Sequence, residues 1–160
     1  MSWIDNLFTR PQPVIQPSQP AGEQTFTDRA IASLDGLASA SRAASPKLSP
    51  AAYSALRTID DNLRPVIERT ATHPVLIERE IEILSVITDY VPTSLELFLR
   101  LPDADRADGG RGDRMLIEQL DRIERTTRAM AAHVADDAMT AMEAQAIFLQ
   151  NKYDHSGTKS

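Results

Sequence analysis

Three histidines, His73, His133 and His155, are the candidates for metal ligation or proton transfer. A helix holds a metal most readily with two histidines four residues apart, or with a Glu-x-x-His pair, because such residues share a face. None of the three meets either condition, so no metal site is expected. His73 reads as part of a helix start and His155 as part of the tail. Carboxylates gather at Asp60, Asp61, Glu78, Glu80, Glu82, Asp136 and Asp137. Paired acids do acid–base work where burial or a neighbour drives their proton affinities apart. These acids fall at helix starts or on a polar helix face, where capping and solvated charge account for them. A serine or threonine nucleophile needs a base within reach and usually a sharp turn to present it. The chain has no G-x-S-x-G, and its serines collect in Pro- and Ala-rich stretches. It has no cysteine, which excludes thiol catalysis, disulfides and Cys-based zinc. The expectation is a chain with no catalytic residue, no cofactor and no metal.

Two further patterns have a chemical reading. Gly109-Gly110-Arg111-Gly112 is glycine-rich, but it joins two expected helices where a phosphate-binding loop would leave a strand. It is read as a flexible loop. The Arg111-Gly112-Asp113 tripeptide inside it matches an integrin-recognition motif, and Asp113 is equally a helix cap. Tyr90 and Pro92 sit within a strongly helical pattern. A proline there frees a backbone carbonyl one turn earlier, near Thr88, and so implies either a notch lined by Tyr90 and Pro92 or a simple bend around the core.

The segment Ser2–Thr9 places Trp3, Ile4, Leu7 and Phe8 on one face of a short amphipathic helix. Eight residues do not hold a helix alone in water, and four large apolar side chains are costly to leave exposed together. They must dock on a protein partner, on their own bundle or on a membrane surface. The membrane reading is the weaker, because Arg10 is the only nearby base and Asp5 offsets it. Trp3, Ile4, Leu7 and Phe8 are therefore the expected partner-binding residues.

The elements that carry these residues follow from spacing and punctuation. Residues 1–10 form the anchor helix, and residues 11–23 a Pro-rich tether of extended geometry. Residues 24–153 form the helical domain, and residues 154–160 a disordered tail. The first long helix begins near Thr25 or Thr27, with Phe26, Ile31, Leu34 and Leu37 inward and a small, polar second half expected to fray. Ser49-Pro50 opens the next, with Pro65 expected to kink it or to mark a restart capped by Asp60 or Asp61. His73-Pro74 opens the most regular segment, with Ile77, Ile81, Leu84, Ile87, Val91, Leu95 and Phe98 inward and, because of Pro92, a kink near Tyr90. After the loop at 103–113, one helix turns Leu116, Leu120, Ile123, Met130 and Val134 inward. Asp136 or Asp137 starts a last helix, with Met139, Met142, Ala146, Leu149 and Tyr153 inward. No alternating strand pattern appears. The expected fold is all-α: a four- or five-helix bundle with proline-kinked helices and the short N-terminal helix on its tether.

Composition agrees. At 160 residues the chain suits one core, and with 5% aromatic residues that core is aliphatic. A net charge of −6 disfavours nucleic acid. No apolar run reaches the roughly 20 residues that span a bilayer, and Asp5 stands where a secretory signal wants bases. The expected location is cytoplasmic, with a membrane-peripheral position as the alternative.

The run Ile87-Thr88-Asp89-Tyr90-Val91-Pro92-Thr93-Ser94-Leu95-Glu96-Leu97-Phe98-Leu99, with Tyr90–Leu95 as its specific element, and the later Phe148-Leu149 resemble the XpaC-like family of small helical bacterial proteins, often grouped with toxic-anion resistance. The resemblance implies a helical, cytoplasmic protein with a stress- or envelope-related role, and in one form hydrolysis of phosphate esters. The functional expectation is a non-enzymatic adaptor or scaffold that binds a protein through the tethered N-terminal helix. The alternatives are a peripheral membrane or envelope-stress protein and, on the resemblance alone, a phosphate-ester hydrolase.

Overall fold

The computed structural model describes residues 22–154, and no strand occurs among them. The protein is an all-α bundle around one aliphatic core. Trp3, Ile4, Leu7, Phe8, the tether up to residue 21 and His155 lie outside the described residues.

Helix α1 runs Phe26–Ala44. Thr25 starts it: its hydroxyl accepts from the Asp28 amide at 3.1 Å, and the Asp28 carboxylate accepts from the Thr25 amide at 3.4 Å. This reciprocal pair satisfies two amides that a helix start leaves bare. Thr27 instead meets Thr70 across the bundle, hydroxyl to hydroxyl at 2.7 Å. The second half of α1, expected to fray, stays helical and runs into a 3-10 turn at Ser45–Lys47. Its small side chains let the helix lie close to α2, and buried Ser41 donates internally to the Leu37 carbonyl at 2.8 Å. Thr25→Ala should lower stability by about 1 kcal/mol, seen as an earlier urea midpoint.

Helix α2 spans Pro50–Arg69 and is capped by Ser49, whose hydroxyl accepts from the Ala52 amide at 3.2 Å. Ala52, Ala55, Leu56, Ile59, Leu63, Val66 and Ile67 form its buried face. Pro65 neither ends nor restarts it. The proline is exposed, so the Asp61 carbonyl that lacks its usual amide partner lies on the outer face, where water serves it.

Helices α3 (Ile77–Ser85) and α4 (Val91–Leu99) are joined by a π-turn over Val86–Tyr90. The Val91 amide reaches back five residues to the Val86 carbonyl. Pro92 is the cause. It has no amide to give Thr88, and its ring would press on that carbonyl, so the turn widens where a kink was expected. Ile83, Val86, Ile87, Val91, Leu95 and Phe98 are buried. Ile77 and Ile81, expected inward, are exposed at 66% and 59%. The added residue in the widened turn breaks the single face that even spacing suggested, and α3 instead turns Ile83, with Glu80 and Leu84 half-covered, toward the core.

The stretch after α4 is an ordered corner. Short α5 (Asp103–Arg106) leads to Gly109, whose φ of +77° suits glycine, and then into α6. Asp113, expected as a cap, lies inside the helix and is buried. It accepts from the Ser49 hydroxyl at 2.5 Å and from the Gly109 amide at 2.9 Å. Helix α6 itself opens at the Gly110 carbonyl, which takes the Arg114 amide at 3.0 Å.

Helix α6 (Arg111–Asp154) is one helix of 44 residues, about 66 Å long, where two were expected. Asp136 and Asp137 lie within it. From Asp113 to Asp154 the sequence has no glycine or proline, and alanine is frequent from 131 to 146, so nothing stops the helix. Its first half buries Leu116, Leu120, Thr127 and Met130, with Ile123 and Val134 half-covered, mainly against α2. Asn62 fixes the register by donating to the Thr127 hydroxyl at 3.2 Å. From Ala135 to Asp154 every residue is exposed. No described helix is long and apolar enough to cross a membrane.

Candidate functional site

Beyond Val134, α6 runs on past the core with its large apolar side chains exposed. Met139, Met142, Ala146, Leu149 and Tyr153 were expected to complete the core; they stand in solvent, Met142 at 73% and Tyr153 at 65% exposure. The reason is a change of phase. The buried stripe of α6 steps through Leu116, Leu120, Ile123, Thr127, Met130 and Val134. The exposed stripe starts one residue on, at Ala135, and is rotated by about 100°. It cannot follow the first stripe onto α2. At the root of this half, Arg69 of α2 pairs with Asp137 at 3.7 Å. The sequence does contain this signal: five residues separate Val134 from Met139, where the stripe otherwise steps by three or four.

Two clefts gather charged groups. Between α1 and α2, a cleft of about 250 Å³ is lined by Arg42, Tyr53, Arg57, Asp60 and Arg64. Arg64 is held at 3.0 Å by Asp60 and at 3.0 Å by Asp35. The hydrogen bond to Asp60 is the main reason its guanidinium is raised above the ordinary arginine value, with burial opposing and Asp35 assisting. Arg57 is likewise raised, first by its hydrogen bond with Tyr53. Near the end of α2, a cleft of about 260 Å³ brings together His73 and His133, sixty positions apart in the chain, with Arg69, Arg79 and Asp137. No local spacing foretells that meeting. Its arginines are engaged, Arg69 with Asp137 and Arg79 with Glu82 at 2.7 Å, and His73 Nδ1 lies 2.9 Å from the Thr72 hydroxyl. Among the described residues no group of three or more His, Asp or Glu side chains is placed to hold a metal ion.

The expected notch divides. Pro92 lines an apolar groove of about 430 Å³ between α1 and α4, together with Gly36, Leu37, Ala40, Leu95 and Leu99. Tyr90 is not part of it. It stands at 52% exposure on the outside of the π-turn. The Thr88 hydroxyl donates to the Leu84 carbonyl at 2.7 Å, a bond within its own helix. Gly112 and Asp113 are buried, so the Arg111-Gly112-Asp113 tripeptide is part of the corner and unavailable as a recognition loop.

No known protein family, curated protein or solved structure matches the chain.

Proposed function

We propose that this chain is a non-enzymatic helical binding module whose working surface is the projecting half of α6, with the segment bearing Trp3, Ile4, Leu7 and Phe8 as a second apolar anchor. The observation that carries the reading is the run of exposed apolar residues from Met139 to Tyr153 on a helix that has already left its own core. Apolar stripes of that length on one helix face are used to lie in or along another surface. Methionine suits the task, because its flexible thioether adapts to the shape it meets.

The partner is read as protein in preference to membrane on charge. Residues 135–154 carry Asp136, Asp137, Glu143 and Asp154 against Lys152 alone, so an anionic bilayer would repel them. The proposal leaves out the phosphate-ester hydrolysis that the XpaC-like resemblance implies, because the residues carrying that resemblance have structural work. Val91 and Leu95 are core, Pro92 sets the π-turn and Thr93 donates to Asp89 at 3.2 Å.

A chain ending at Val134 tests the reading. It should keep a cooperative unfolding transition within a few degrees of the full chain, since it loses no buried residue, and it should lose protein binding in a pull-down. Retained binding would move the working surface to the anchor, and flotation of the full chain with vesicles would move the partner to lipid.

A further inference from the structure

We propose that the projecting half of α6 pairs antiparallel with the same segment of a second copy of this chain. The proposal rests on the reading of that helix as a binding surface and names its partner.

The spacing is that of a two-helix seam. Ala135, Met139, Met142, Ala146, Leu149 and Tyr153 are separated by four, three, four, three and four residues, which keeps one edge of the helix against a partner over its whole length. The order of sizes then selects the orientation. A second copy laid end for end about the level of Ala144 sets Ala135 against Tyr153, Met139 against Leu149 and Met142 against Ala146, and the same layers recur in reverse on the other side of the axis. The smallest seam residues meet the largest, and the cross-section stays even. A parallel pair would instead stack Ala135 on Ala135 and Ala146 on Ala146, leaving gaps, and crowd Tyr153 against Tyr153. Close-packed interfaces disfavour both faults. Neither the bundle nor an unrelated partner requires a stripe that complements itself in this way, whereas a two-fold pair does, because each residue must meet its counterpart twice.

The fold permits the pairing. The seam begins at Ala135, one residue beyond the last half-covered core position, Val134, on a face turned about 100° from the one packed on α2. The antiparallel arrangement opposes the two helix dipoles. Two features work against it. Ile147 and Phe148, exposed at 60% and 56%, lie off the seam and stay uncovered by the pairing. Glu143 flanks the seam near the axis and would face Glu143 of the second copy, a like-charge contact. In a parallel pair it would face Ala138. This makes Glu143 a reporter of orientation, and it makes the dimer weak and concentration-dependent.

The test uses the full chain. Sedimentation equilibrium from about 1 to 500 µM, the range suited to a small interface, should show the mass climbing from 17.6 kDa toward twice that value. The exposed double variant Met142→Glu/Leu149→Glu should stay at the monomer mass throughout, with its circular dichroism and melting unchanged. Glu143→Gln should tighten the dimer several-fold. Because the chain has no cysteine, single cysteines report the register. Chains carrying Met139→Cys should crosslink to chains carrying Leu149→Cys, and neither should crosslink well to itself. A mass of 17.6 kDa at every concentration, a dimer unaffected by the double variant, or efficient self-crosslinking of Met139→Cys would each overturn the proposal. A dimer that forms only after residues 1–21 are deleted would also overturn it, by making the N-terminal segment the occupant of the stripe. If the chain is monomeric yet the double variant still abolishes binding of another protein, the pairing fails and the binding-module reading stands. If the double variant changes neither mass nor binding, both fail.

Discussion

Asp113→Ala should cost the fold about 2–3 kcal/mol, the scale of one buried and one part-buried hydrogen bond to a carboxylate. The carboxylate is buried and serves two elements at once. One oxygen takes the Ser49 hydroxyl at the head of α2, and the other takes the Gly109 amide at the corner before α6. Ser49 is committed on both sides, since it also accepts from Ala52 to cap α2. Removing the carboxylate leaves a buried hydroxyl and a backbone amide without acceptors, and frees the α5–α6 corner from the start of α2. Urea unfolding should show a lower midpoint with the slope nearly unchanged. Asp113→Asn, which keeps an acceptor and loses the charge, should fall roughly halfway. The double variant Ser49→Ala/Asp113→Ala should be less damaging than the sum of its parts by at least about 0.5 kcal/mol, because both changes break the same bond. Additivity would show that the two side chains act separately.

The sequence carried the helical class because spacing and punctuation agreed over long stretches. Ser49-Pro50 is a start signal that no tertiary contact had reason to override, and α2 begins there. Thr25 was one of two candidate caps, and the deciding fact, the hydroxyl contact of Thr27 with Thr70, joins positions 43 residues apart. The misreadings have different causes. Pro65 and Pro92 are the same residue in similar helical surroundings, yet one is passed without incident and the other opens a π-turn. Asp61 and Thr88, whose carbonyls lose their amide partner to these prolines, are both exposed, so nothing local to either proline tells the two outcomes apart. Ile77 and Ile81 were misassigned because one extra residue in a turn shifts every face before it. The end of α6 was misassigned for the opposite reason. Its apolar stripe was seen, but an apolar stripe was taken to imply the chain's own core, and a one-residue phase change points it elsewhere. The His73–His133 cleft was not legible at all, because it joins a loop to a helix through space.

Two glycines inside helices should respond to the same substitution with opposite signs. A Cβ added at Gly112 would press on Leu101 Cδ1 and lie 2.8 Å from the Asp105 carbonyl oxygen. The leucine tip can turn aside, but the carbonyl belongs to the backbone of α5, and moving it opens the corner that Asp113 closes. Gly112→Ala should therefore destabilise by about 2–3 kcal/mol despite alanine's better helix propensity. At Gly36, in the middle of α1, an added Cβ meets nothing within 4 Å, because the residue borders the open groove beside Pro92 and Leu95. There only the propensity term acts, and Gly36→Ala should stabilise by about 0.5–1 kcal/mol. Thermal melts of the two variants beside the parent check both signs, and a destabilised Gly36→Ala would mean that the groove is filled in solution. The Gly36 variant has a second use. It narrows the groove between α1 and α4 without touching residues 135–154, so protein binding or self-association that survives Gly36→Ala and fails in Met142→Glu/Leu149→Glu belongs to the projecting helix and not to the groove.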